Sequence, residues 1–158
     1  MSSTFVYVTY IRTTPEKLWE ALTSPEFTKR YWFGITQESE FKPGSPWKMR
    51  YPDGAVTDTG KVLEVDPPRR LVLQWRHDLK LEFRAEGETR CEFELVPKGN
   101  QVQLRVTHSS NRDNAKVIAG VSEGWPQILS SLKSLLETGM ALERTTPPIE
   151  TREGASAD

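Results

Sequence analysis

The stretch that decides the fold is "EGWPQILSSL", Glu123 to Leu132. It lies inside a longer segment, about Arg112 to Leu142, with apolar residues at helical spacing: Val117, Val121, Trp125, Ile128, Leu132, Leu135 and Leu136. Ile118 and Leu129 widen that stripe, and Lys116, Glu123, Gln127, Ser131 and Lys133 fall on the opposite side. This is one long amphipathic helix, with Gly139 as its C-terminal stop. Yet Pro126 follows Trp125 directly. A proline within a helix removes a donor and clashes one turn back, at about 3 kcal/mol. Burying an indole hides roughly 200 Å², an upper bound near 5 kcal/mol at about 25 cal/mol per Å². Packing of Trp125 therefore outweighs the proline. Two geometries satisfy the pattern. Either the helix kinks around Ser122 to Pro126 and opens a gap at one end, or it begins near Ser122 with Pro126 in its first turn and Arg112 to Val121 as a separate short helix.

The apolar stripe needs a partner surface, and the middle of the chain supplies one. From about residue 36 to 109, "KPGSP", "PDG", "DPP", "EG" and "PKGN" punctuate short alternating segments. Trp47, Met49 and Tyr51 alternate with Lys48 and Arg50. Leu71, Leu73 and Trp75 share one face; so do Cys91, Phe93 and Leu95 against Glu92 and Glu94. Val102, Leu104, Val106 and His108 alternate with Gln103, Arg105 and Thr107. Period-two alternation with one polar face predicts an antiparallel meander covered on one side. "GKVLEV" alternates less cleanly, the pattern of a bulge, and "PKGN" predicts a hairpin.

The N-terminal part completes the order. "FVYVTYIR" is aromatic and β-branched and predicts a strand. "TTPEKLWEAL" and "TSPEFTKRYW" then repeat one start signal: Thr14, Pro15 and Glu16, followed by Ser24, Pro25 and Glu26. A hydroxyl cap, a proline that loses nothing at the first helical position and an acid near the positive helix end predict two short helices. Strand, two short helices, a curled sheet and a long helix make an α+β domain over residues 1–142. From residue 143 the chain has little to bury, and the tail 143–158 is expected to be disordered.

Composition narrows the function. The chain has 158 residues, with 21 Lys and Arg against 22 Asp and Glu. That balance does not fit a nucleic-acid binder. The sequence shows neither a signal peptide nor an apolar run long enough to span a membrane. One cysteine permits no internal disulfide and suits a reducing compartment, so a cytoplasmic location is expected.

Chemistry-bearing residues are few. His108 ends an apolar strand face and points inward, as a ligand contact, an acid/base group or a histidine bonded to backbone. His77 is placed in a loop after Trp75. Neither has a second His or Cys at ligand spacing, so no metal is expected. Cys91 lies on the inner face as a small hydrophobe. Arg50, Arg76, Arg105 and Lys48 are solvated outer-face charges. No phosphate-binding glycine loop or nucleophile elbow is present.

"TTPEKLWEALTSPEFTKRYW", "VDPPRRLVLQW", "TRCEFELVPKGNQVQLRVTHSS" and "EGWPQILSSLKSLLETG", in that order, resemble the START-like, or SRPBCC, superfamily. Within it they are most similar to the branch of the activator of the 90-kDa heat-shock protein ATPase. The resemblance covers about residues 5 to 140. Two departures are Pro126, where a helix former is expected, and the separate N-terminal domain of the chaperone activator, which these 158 residues do not show. The resemblance implies a helix-grip fold: a curved antiparallel sheet wrapped around a long C-terminal helix, with a ligand cavity between them. Trp32, Phe33, Trp47, Met49, Tyr51, Trp75, Phe93, His108, Val121, Trp125 and Ile128 are its expected lining. A small hydrophobic or lipid-like molecule is the expected partner, with no cofactor and no catalytic residue. The alternatives are a chaperone-associated or stress-regulatory protein acting through its surface, and a cyclase or hydrolase using His108 or Tyr51.

Overall fold

The computed structural model describes residues 2–145. Its order is β1 (Ser3–Ile11), α1 (Pro15–Thr23), α2 (Pro25–Tyr31), β2 (Thr36–Ser39), β3 (Pro46–Arg50), β4 (Val56–Asp66), β5 (Arg70–His77), α3 (Leu81–Arg84), β6 (Thr89–Lys98), β7 (Gln101–Ser110) and α4 (Lys116–Thr138). The strands form one curved antiparallel sheet in the order β1-β7-β6-β5-β4-β3-β2. This is the expected helix-grip arrangement. Leu71, Leu73, Trp75, Phe93, Leu104 and Val106 of the inner face share one core with Trp125, Leu129, Leu132 and Leu135 of α4.

The tandem helices form as their start signals predict. Thr14 caps α1, its hydroxyl accepting from Lys17 N–H at 3.2 Å, and Pro15 and Pro25 open the two helices. Ser24 differs: its side chain makes no capping bond, and its carbonyl instead accepts from Thr28 N–H and from the Thr28 hydroxyl. Leu18, Ala21 and Leu22 of α1 are buried, and the Gln37 side-chain amide donates to the Leu22 carbonyl. The Gln37 carbonyl oxygen in turn accepts from Trp47 Nε1–H at 3.0 Å. A helix end and a sheet indole thus satisfy one another through one buried amide.

The helix α4 runs unbroken through Pro126, so the arrangement with a helix beginning near Ser122 does not occur. It is shorter than the 112–142 segment, and it ends at Gly139, whose left-handed φ of 84° closes the last turn. Its N-terminus has a cap that lies far away in sequence. Ala115 offers no side-chain acceptor, and the Glu86 carboxylate accepts from Lys116 N–H and Val117 N–H, both at 2.9 Å. Phe83 of α3 packs with Ala115, Val117 and Ile118, a small second core under the start of α4.

Two register shifts bend the sheet. One lies in β4 between Val62 and Glu64, where the uneven alternation predicts it. The other pairs Met49 with Asp58 and Arg50 with Val56, which leaves Thr57 as the extra residue. Of the tail expected from residue 143, only 143–145 fall among the described residues; there Arg144 lies with its guanidinium 4.8 Å over the Phe33 ring. The remainder of that expectation lies outside the described residues. Among the described residues, no helix is long and apolar enough to cross a membrane.

Candidate functional site

Two rows across the sheet build the site. Trp47 of β3 pairs with Gly60 of β4, which pairs with Trp75 of β5. Gly60 leaves room for the two indoles to meet above it, with ring centroids 4.5 Å apart. A Cβ at Gly60 would lie 1.7 Å from the Gln74 carbonyl oxygen, so no other residue fits. The next row is Met49, Asp58 and His77. It puts a carboxylate and an imidazole on the inner face at the end of the aromatic wall.

Between these rows and α4 lies a partly open pocket of about 470 Å³. Of the expected lining, Trp32, Phe33, Tyr51, Trp75, Val121, Trp125 and Ile128 border it. Trp47 and Phe93 do not. They border a gap of about 10 Å³ deeper in the core, which is filled rather than hollow. Met49 and His108 are fully buried behind the aromatic rings and border neither space. Trp32, Trp75 and Trp125 form one cluster, with centroids 5.3–6.1 Å apart.

His108 is inaccessible and fully bonded. The Trp125 Nε1–H donates to its Nδ1 at 3.1 Å, its Nε2–H donates to the Thr89 hydroxyl at 2.8 Å, and that hydroxyl donates to the Trp75 carbonyl at 2.9 Å. Each proton has one place, so the ring is neutral with its proton on Nε2. Burial, with the nearby His77 second, pushes its pKa down to about 3. It is therefore neither the ligand contact nor the acid/base group expected of it, and its partners are side chains rather than backbone. Burial likewise pushes the Cys91 thiol well above its usual range, which suits a packed hydrophobe and not a nucleophile.

His77 is not in a loop. It is the last residue of β5, buried, in phase with Leu71, Leu73 and Trp75, and it borders the pocket. Its ring meets Phe83 edge to face at 5.1 Å, and its Nδ1 is buried without a hydrogen-bond partner among the described residues. Opposite it, Asp58 accepts from the Thr57 hydroxyl at 2.5 Å and from Trp75 Nε1–H at 2.7 Å. Sequence reasoning misplaced His77 and missed Asp58, Thr57 and Phe83. The signal for the first two was present: the alternation that ends at Trp75 continues to His77, and the one beginning at Gly60 extends back to Asp58. Glu123, Gly124 and Gln127 of α4 and Arg144 complete the rim. Among the described residues, no group of three or more His, Cys, Asp or Glu is placed to hold a metal ion.

Comparison with solved structures places this architecture. The chain is similar to protein MLL2253 from Mesorhizobium loti, at 27% identity and a TM-score of 0.74, over 85% of this chain and 97% of that one. It is similar to the Aha1 dimer protein from Colwellia psychrerythraea, at 26% identity and a TM-score of 0.68, over 87% and 98% of the two chains. It also shares its fold with PFC0360w, an HSP90 activator from Plasmodium falciparum, at 21% identity and a TM-score of 0.69, over 84% and 95%. No curated protein matches the sequence at a significant level. The family model described as "Activator of Hsp90 ATPase homolog 1-like protein" matches residues 12–137. With that match covering most of its length and the helix-grip fold in place, the chain belongs to the family of activator of Hsp90 ATPase homolog 1-like proteins.

Proposed function

We propose that this protein binds a small, mostly apolar molecule between its sheet and α4, and that it works in the cytoplasm. The observation that carries this reading is the pocket of about 470 Å³, walled by Trp32, Phe33, Tyr51, Trp75, Val121 and Ile128. Such a volume and such walls, with a few polar groups at one end, are those of a small-molecule site. Deeper in the core, the gap beside Trp47 and Phe93 is only about 10 Å³. Catalysis has less support. His108 is locked neutral, and Asp58 spends its oxygens on Thr57 and Trp75 and makes no bond to His77. A carboxylate that does not orient an imidazole lacks the geometry of an acid/base dyad.

The test is an NMR titration with a mixed lipid and aromatic library. Binding inside should shift Trp32, Trp75, Val121 and Ile128 signals. Ile128→Trp, which fills the space, should abolish those shifts in a folded protein. Shifts scattered over the outer strand face would overturn the reading.

One observation favours a second reading, the chaperone-associated role. On the outer face of the edge strand β1, Val6, Val8 and Tyr10 are 45%, 37% and 46% exposed and in line. Such an apolar stripe suits a protein surface. Adding the 90-kDa heat-shock protein should then broaden the signals of those three residues and leave the pocket signals unmoved.

A further inference from the structure

We infer that the pocket selects organic cations: molecules with a compact apolar body and a protonated amino group, the amine seated between Asp58 and His77. This rests on the binding reading above and adds the class of ligand.

The corner is built for a donor that carries charge. Asp58 and His77 face each other across β4 and β5, both buried and both on the pocket. The oxygens of Asp58 accept from two neutral donors, a hydroxyl and an indole N–H, and no counter-cation pairs with it among the described residues. Buried carboxylates are ordinarily paired. Opposite it, His77 carries a buried Nδ1 that has no hydrogen-bond partner among the described residues. An ammonium brings three donors and no acceptor. One would reach Asp58 and one the imidazole, with the charge resting on the face of Trp75 or Trp32.

The rest of the rim agrees. Glu123 adds a second carboxylate at the mouth. Among the described residues the one cation there is Arg144, which already lies on the Phe33 ring and is only half-buried. A carboxylate ligand would have to place its charge toward Asp58 at the buried end, where repulsion is least screened. The bulge at Thr57 brings the Thr57 hydroxyl onto the same carboxylate and holds it toward the pocket.

Three probes with one hydrocarbon body test this: adamantylmethylamine, adamantylmethanol and adamantanecarboxylate, each titrated by calorimetry and followed by the indole N–H signals. The amine should bind at least about tenfold tighter than the alcohol, and the carboxylate should bind weakest. Asp58→Asn keeps an acceptor for Trp75 and should erase most of the amine's advantage while the alcohol's affinity holds. Should that variant fail to fold, His77→Phe keeps a ring against Phe83 and should reduce the same advantage several-fold. Equal binding of amine and alcohol, with pocket signals shifting, would overturn the cation assignment and leave the pocket reading intact. Tightest binding of the carboxylate would overturn it in favour of Arg144. No binding by any probe would overturn both.

Discussion

The indole of Trp125 donates to Nδ1 of His108 at 3.1 Å, and this one bond ties the middle of α4 to the end of β7. Both side chains are buried, and the chain of donors continues through Thr89 to the Trp75 carbonyl. The helix is therefore gripped by a directed contact as well as by apolar packing. Trp125→Ala should cost about 3 kcal/mol or more, because it empties a large volume against the rings of Trp32, Trp75, Phe93 and His108. Trp125→Phe keeps most of that volume but orphans Nδ1, and should cost about 1–3 kcal/mol. Urea unfolding of the two variants separates the parts. A loss below about 1 kcal/mol for Trp125→Ala would show that the ring is not packed as described.

The same bond makes stability depend on pH. A pKa near 3 in the folded state lies below the ordinary histidine value of 6.5, so the unfolded chain takes up the proton first. Stability is full above about pH 6.5 and falls as the pH drops toward 3, by about 1.4 kcal/mol per unit once below the unfolded pKa. Between pH 6.5 and 5 carboxylates contribute little, and the difference between wild type and a His108 variant across that interval isolates His108 from the other histidine, His77. Wild type should lose stability across it in urea titrations. His108→Gln, though weaker throughout, should show a flatter profile. A wild-type profile flat from pH 7 to 5 would refute the neutral, locked ring.

How far the sequence could be read follows from the periods involved. Strands β3, β5, β6 and β7 were legible because one face is wet and the other apolar, and the tandem helices because hydroxyl, proline and acid coincide. The polar face is less simple than alternation implies: Val72, on it, is fully buried and pairs with Glu64 and Glu92, both of which bond Arg70. Charged stems cover an apolar residue there. The helix α3 has four residues and no period to detect. The cap of α4 was illegible because Glu86 is thirty positions away from Lys116. The Asp58–His77 pair was missed for another reason. Polar residues at strand ends read as loop, although their phase puts them on the inner face.

Gly60 gives a sharp test of the sheet rows. Gly60→Ala places a Cβ on the Gln74 carbonyl, and backbone cannot yield as a side-chain tip can. Strands β4 and β5 would have to separate beneath the Trp47–Trp75 contact. The variant should lose about 3 kcal/mol or more, at or beyond the upper end for overpacking. Its near-ultraviolet circular dichroism, dominated by coupled indoles, should weaken as well. A variant as stable as wild type would contradict the close approach of the two strands.

Glu86→Ala should free two N–H groups at the start of α4 and remove an anion from its positive end. The expected cost is about 1–2 kcal/mol, measured by thermal or urea unfolding. Hydrogen exchange should rise locally at Val117 and Ile118 more than at Leu132. Uniform acceleration along the helix would mean that the carboxylate does not act as a cap.

Pro126 lies half-buried inside α4. In a continuous α4 its ring denies the Ser122 carbonyl a backbone donor. Pro126→Ala restores that donor and removes the clash with the preceding turn, so it should stabilise the protein by about 1–3 kcal/mol. If the proline is what holds Gly120 and Val121 away from the sheet, the relaxed helix should also narrow the pocket that those residues line. The amine probe should then bind several-fold more weakly to the more stable protein. Greater stability with unchanged affinity would show that the proline does not shape the pocket.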